Sequence, residues 1–274
     1  MSLTKGRTVV TPASPTIVGV SPSLAAAGGG PVATSGASPT PVGRPGAPAS
    51  VRALWRRILY WRFRLFQSHR HEHLVFEHVE GLPLVVLPDV FNPRLFRSGE
   101  FLARWTTRVV APGDAVLDLG TGSGVGAIFA ARRGAAVVAV DVNPAAARCA
   151  RINCLLHQIE DRVDVREGDL FSVVAGERFD VVLFNPPYYR GTPRDALEQA
   201  FRSDDIVERF AAGLDDALAP GGRAVLVIST DADPARVLSS LERHRFQADT
   251  LEEKDLINEI VLVWLVRRAE LGGV

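Results

Sequence analysis

"LDLGTGSGVGA", residues 117 to 127, places Gly120, Gly122, Gly124 and Gly126 at alternate positions directly after an apolar run. Without a Cβ, backbone and ligand can approach closely there, so a strand, a tight loop and a helix are expected in that order. The strand is "AVLDLG" (115 to 120) and the helix covers 124 to 133. Strand "AVVAVD" (136 to 141) follows, then a helix over 144 to 157 opened by Pro144, a residue suited to a first helical position. "RVDVRE" (162 to 167) and "FDVVLF" (179 to 184) read as further strands. After them come a helix near 204 to 218, strand "RAVLVIS" (223 to 229), a helix from 234 to 244, the segment "FQADTLE" and strand "EIVLVWLV" (259 to 266). This alternation predicts an α/β protein with a doubly wound, mostly parallel sheet and right-handed crossovers. Such a sheet binds its ligand beyond the C-terminal ends of its strands.

Upstream of this pattern the chemistry changes. Residues 1 to 48 are mostly Pro, Gly, Ala, Ser and Thr, with too little burial available to offset ordering entropy, and are expected to be disordered. "VRALWRRILYWRFRLF" (51 to 66) repeats Leu54, Ile58, Trp61 and Leu65 at helical spacing with arginines between them, the pattern of a basic amphipathic helix. No Asp or Glu precedes Glu72, so residues 1 to 71 carry nine positive charges and the remainder a net −9 within a neutral chain. A basic front end could steer a polyanion or simply lie on the acidic body. "HRHEH" (69 to 73) sets His69, His71 and His73 on alternate positions without cysteine or a distal carboxylate, which fits a solvated turn better than a metal site. "LVFEHVE" and "GLPLVVL" form an expected β-hairpin turning at Gly81, and a helix should begin near Ser98.

Cys149 and Cys154 are the only cysteines and fall in one helix with geometry unsuited to a disulfide, which suggests a reducing compartment. No apolar run reaches the roughly 18 residues that a membrane span needs. The expected location is therefore cytoplasmic, with no membrane partner; the oligomeric state is left open, with a monomer as the starting point.

Polar groups stand at four strand ends: Asp118, Asp141, Asp169 in "EGDLF", and Asn185. Read as Gly122, Gly124 and Ala127, the loop also satisfies a dinucleotide fingerprint, with Asp141 as the ribose acid. Asp118 argues against that, since a carboxylate there repels a pyrophosphate but attracts the ammonium of a cationic amino-acid ligand. Over residues 98 to 268 the arrangement resembles the class I S-adenosylmethionine-dependent methyltransferases, with their seven-stranded Rossmann-like sheet. The resemblance implies that Asp118, Gly120, Thr121, Gly122 and Gly124 cradle the methionine part of S-adenosyl-L-methionine. It assigns both ribose hydroxyls to Asp141 and the adenine amino group to Asp169, with Val142, Leu170 and Asn185 completing the donor site.

"FNPPYY", residues 184 to 189, ends a buried strand with two prolines that cannot extend a ladder. "NPPY" is similar to the motif of the amino-methylating members of that family, which act on adenine N6, guanine N2 or glutamine amides. The lone pair of such a nitrogen is delocalised, so the nitrogen reacts only when its geometry is constrained. The Asn185 side chain and the Pro186 carbonyl can each accept one N–H, Pro187 stiffens the turn, and Tyr188 can stack on the flat acceptor. These four are the candidate catalytic residues, and no metal is required. "FNPPYY", with the lead-in "VLPDVFNPRLFRSGEFLARW" and Glu100, looks most like the HemK branch, the release factor glutamine methyltransferases. Only residues 51 to 97 precede the core, too few for a large helical substrate domain.

The expected organisation is a disordered tail over 1 to 48, a helix and hairpin extension over 49 to 97, and a methyltransferase domain over 98 to 270. Its expected function is N-methylation of a macromolecule, a release-factor-like protein glutamine being favoured over RNA or DNA. A nucleic-acid base reached through the basic helix, or a small-molecule amine, are the enzyme alternatives. An inactive donor-binding scaffold has no use for "NPPY", and Arg190 and Arg194 beside it suit an anionic partner or an ordinary exposed loop.

Overall fold

The computed structural model describes residues 73–95, 97–186, 205–256 and 259–270. The expected tail, the basic helix over 51–66, His69 and His71 lie outside the described residues, as do Pro187, Tyr188, Arg190 and Arg194.

Strands such as "AVLDL" and "FDVVLF" are apolar on both faces, a pattern that is stable only in a sheet covered on both sides. In chain order the described elements are β1 (Val75–Val79), β2 (Leu82–Val86), α1 (Ser98–Val109), β3 (Ala115–Leu119), α2 (Val125–Arg132), β4 (Ala136–Asp141) and α3 (Pro144–Leu156). They continue with β5 (Val163–Glu167), β6 (Phe179–Phe184), α4 (Ile206–Ala217), β7 (Leu218–Ser229), α5 (Pro234–Arg243), β8 (Phe246–Asp255) and β9 (Ile260–Arg268). Seven strands form one sheet in the order β5-β4-β3-β6-β7-β9-β8. It is parallel through β7, and β9 runs antiparallel between β7 and β8. This is the doubly wound, mostly parallel sheet that the alternation predicts, with the seven strands that the resemblance implies.

Alternate side chains of each strand feed two cores. Val116, Val181, Leu183, Val225 and Val263 pack with α1 and α2 on one face, through Phe101, Leu102 and Ile128. On the other face Leu117, Leu119, Val182, Phe184 and Leu226 meet α4 and α5 through Phe210, Leu214 and Leu241. Two boundaries differ from expectation. "FQADTLE" is the first part of a ten-residue strand, β8, whose far end carries Glu252, Glu253, Lys254 and Asp255. Because β8 pairs only with β9 among the described residues, it is an edge strand there, and charged side chains are the usual protection of such an edge. The strand expected from Arg223 starts earlier, at Leu218, and passes Gly221 (φ 75°) with a shift in its register against β6.

The hairpin turns at Glu80 and Gly81, both left-handed (φ 45° and 81°), as a two-residue loop between twisted strands requires. A buried amide is one of the groups that fasten it to the domain. Asn153 of α3 accepts from Val85 N (2.8 Å) and donates to Val85 O (2.7 Å) and Ser123 O (2.8 Å). The free edge of β2 is thereby joined to the glycine loop. Cys149, one helical turn away, packs at the same junction; both cysteines are free and buried, and burial pushes their thiols up to about 11.

Asn153→Ala leaves buried backbone groups without partners, so the variant should lose about 3 kcal/mol in chemical denaturation, with the Val85 amide losing its exchange protection.

Candidate active site

The sheet reverses its winding beside β3, which has β4 on one side and β6 on the other. Leu119 pairs with Val140 and with Phe184, so Gly120, Asp141 and Asn185 emerge level at the open end. That is the crevice where a doubly wound sheet binds its ligand.

The loop from Gly120 to Gly124 is shaped from below. Asp118 is 1% exposed; its Oδ2 accepts from Thr121 Oγ1 (2.6 Å) and from Ala127 N (2.9 Å). Asp118 therefore caps α2, whose own N-cap residue, Gly124, has no side chain to do so. Burial pushes its carboxyl up to about 7, with the bonds from Thr121 and Ala127 pulling the other way and the nearby Asp141 adding to the rise. Asp118, expected to cradle the methionine part of the donor, is buried here against Thr121 and Ala127. The carboxylate and the Thr121 hydroxyl turn inward and hold the loop, while occupying the helix terminus that a diphosphate would need. A Cβ on Gly126 would stand 2.6 Å from Asp118 Oδ1, so only glycine admits this approach. Ser123 Oγ, two residues from Thr121, is buried with no hydrogen-bond partner among the described residues.

Asp141 ends β4 with both oxygens engaged. Oδ2 accepts from Gly122 N (2.8 Å), where the chain is left-handed (φ 57°), and Oδ1 accepts from Asn143 N (2.9 Å). Its carboxyl is raised by burial, against the lowering effect of the amides of Asn143, Gly122 and Val142. Next to it Val142 is 43% exposed, a large apolar side chain left open at the sheet's end. Asp169 follows β5, and the turn beyond it is fixed by Ser172, which accepts from Asp169 N and donates to Asp169 O (3.1 Å each). Leu170 is left-handed (φ 48°) and tucks its side chain into the second core. Arg209 of α4 makes an ion pair with the Asp169 carboxylate.

Asn185 and Pro186 follow β6 at the edge. Asn185 Nδ2 donates to Oγ of Ser98 (3.1 Å), a wholly buried residue at the start of α1. The segment before that helix lies across the other stations of the site. Asp89 O accepts from Asn143 Nδ2 (2.8 Å), and the Phe91 Cβ would be 3.9 Å from a Cβ on Gly122. Asn92 donates to Glu77 of the hairpin and caps Arg94 N and Leu95 N. Glu100 sits under this strap, paired with Arg94 and Arg97. Ser98 and Arg209 were not among the residues marked in the sequence. A serine opening a helix was visible there, but nothing local linked it to Asn185, and Arg209 carried no signal.

The crevice thus offers acids at two strand ends, an exposed apolar side chain beside the first, and a glycine loop that is exposed at Gly120 and buried from Thr121 to Gly124. These groups fit S-adenosyl-L-methionine, with two hydroxyls, an amino group and a flat base to be held. Among the described residues no cluster of His, Cys, Asp and Glu is placed to hold a metal ion, and no helix is long and apolar enough to cross a membrane.

Comparison with known proteins agrees with this geometry. Residues 84–254 match the methyltransferase small domain. The chain is 29% identical over 180 residues to a Methanocaldococcus jannaschii protein named as a protein N5-glutamine methyltransferase, covering 62% of this chain and 88% of that one. It is 30% identical over 126 residues to the tRNA1(Val) (adenine(37)-N6)-methyltransferase of Porphyromonas gingivalis, covering 42% of this chain and 49% of that one. The fold is shared with the Thermus thermophilus 16S rRNA N2 G1207 methyltransferase solved with S-adenosylmethionine and guanosine (TM-score 0.53, 22% identity, 72% of this chain and 50% of that one). The chain therefore spans most of the first of these proteins and about half of the other two. Sheet order, crevice and family match converge: the chain belongs to the methyltransferase small domain family, with the class I S-adenosyl-L-methionine-dependent methyltransferase fold.

Proposed function

We propose that the enzyme methylates the side-chain amide nitrogen of a glutamine in a protein of translation, of the release-factor type. The observation that carries this reading is the placement of Asn185: level with the glycine loop, at the end of β6, with its amide nitrogen turned towards Ser98. That bond ties the amide to α1 through its nitrogen, and in this reading its oxygen accepts an N–H of the acceptor. The 88% coverage of the glutamine-methylating relative, against 49% of the tRNA-methylating one, favours a protein acceptor.

Bound S-adenosyl-L-methionine supplies an electrophilic methyl group on a sulfonium. In our reading Asn185 Oδ1 and the Pro186 carbonyl each accept one N–H of the acceptor, Pro187 stiffens that carbonyl, and Tyr188 covers the amide plane. The nitrogen lone pair is thereby aimed at the methyl group. With that methyl group supplied, Asn185 and Pro186 would hold the nitrogen in line with it, the donor would leave as a neutral thioether, and the proton lost from nitrogen would go to solvent. This is catalysis by positioning, and it needs no strong base. Asp141 serves the ribose hydroxyls, Asp169 the adenine amino group, Val142 and Leu170 the base, and Gly120, Gly122 and Gly124 the methionine end. Asp118 and Thr121 act one layer behind, as supports of that loop. The expected location remains the cytoplasm.

Asn185→Ala should lower kcat by about 100-fold or more while the donor Kd stays within about threefold, and unchanged turnover would remove Asn185 from its role. Asp141→Ala should weaken donor binding by about tenfold or more in calorimetry. To identify the acceptor, labelled donor is added to extract treated with nuclease or protease; nuclease-resistant label mapping to glutamine supports the proposal, and label lost to nuclease assigns a nucleic-acid base instead. Asp118 gives a pH test. Its folded-state value, about 7, lies above the ordinary 3.8, so its contribution to stability is complete below about pH 4 and is lost as the pH rises to 7. The stability of Asp118→Asn relative to the wild type should therefore grow across that window and level off above about pH 8.

A further inference from the structure

We propose that Arg209 is a positioning residue for donor recognition, holding the Asp169 carboxylate so that its remaining oxygen meets the 6-amino group of adenine. The inference rests on the reading of Asp169 as the adenine partner. Arg209 Nη2 lies 2.5 Å from Asp169 Oδ2, and Asp205 Oδ2 stands 4.0 Å from Arg209 Nε. Asp169 Oδ1 takes no hydrogen bond among the described residues.

The surroundings fix this pair tightly. Arg209 precedes Phe210, which is 1% exposed and stacks on Phe184 at 4.7 Å and on Phe171 at 6.1 Å. Phe171 belongs to the Asp169 turn, and it lies so close to α4 that a Cβ on Gly213 would meet its ring at 2.4 Å. The helix that carries Arg209 and the turn that carries Asp169 are therefore packed as one unit, further held by the Ser172 bonds and the left-handed Leu170. Both charged side chains are nevertheless open to water, at 42% and 47% exposure. An exposed ion pair adds little to stability. What it does fix is direction. A carboxylate on a single residue beyond a strand end can rotate, and a charge-assisted bond to one oxygen from a rigid helix removes that freedom. The other oxygen is then presented in one orientation, and a planar amino group can be read against it.

The test uses the full chain and two probes in calorimetry: S-adenosylhomocysteine, and the same thioether carrying unsubstituted purine, which lacks the 6-amino group. Arg209→Met should bind S-adenosylhomocysteine about tenfold more weakly while affinity for the purine analogue changes less than about twofold, and Arg209→Lys should recover most of the loss. Its thermal midpoint should stay near that of the wild type. Equal losses for both probes, or no loss for either, would overturn the assignment. Asp169→Ala, which removes the acceptor oxygen, separates the two readings. If that variant still discriminates between the probes, Asp169 is not the adenine partner and both readings fall. If Asp169→Ala erases discrimination and Arg209→Met preserves it, only the role of Arg209 falls.

Discussion

A carboxylate sealed from water lies under the glycine loop, and the arrangement of the donor end depends on it. Asp118 reaches across from β3 to the first turn of α2 and to Thr121, so the strand, the loop and the helix are tied at one point. The approach is possible because Gly126 has no side chain. Charge at that point carries a desolvation cost, which is why the group holds its proton to about 7. The same charge, when present, sits where the helix would otherwise attract an anion, and this separates the crevice from those that hold a dinucleotide's phosphates.

The segment from Asp89 to Glu100 unites what the strands only bring near. It touches the end of β4 through Asn143, the hairpin through Asn92 and Asn185 at the end of β6 through Ser98, and Phe91 lies beside the glycine loop. Asn153 adds a second tie, from the hairpin to Ser123. The ends of β4 and β6, the glycine loop and the hairpin are thus joined by side chains far apart in sequence.

Much of the sheet was legible because buried parallel strands are written as unbroken apolar runs and the loop as alternating glycines. Glu252 to Asp255 hid the second half of β8, since an edge strand is charged for its own protection and so imitates a loop. Pro220, Gly221 and Gly222 hid the early start of β7. At the site, the strand-end positions of Asp141, Asp169 and Asn185 could be read from sequence. The inward turn of Asp118 could not, because pattern gives a residue's place along a strand and not the partners that fill its space. For the same reason Ser98 and Arg209 went unread: each meets its partner only after the chain has crossed the sheet.

One topological detail bears on how the molecule is made. β9 follows β8 in the chain yet lies between β8 and β7, and among the described residues β8 has no other strand partner. During synthesis the long edge of β7 therefore stays unpaired until β9 emerges. The donor half, β3 to β5, can form by then. Until Ile260 and the residues after it have emerged, the edge of β7 that carries Val225, Val227 and Ile228 is an open apolar ladder, the kind of surface that invites pairing with another chain.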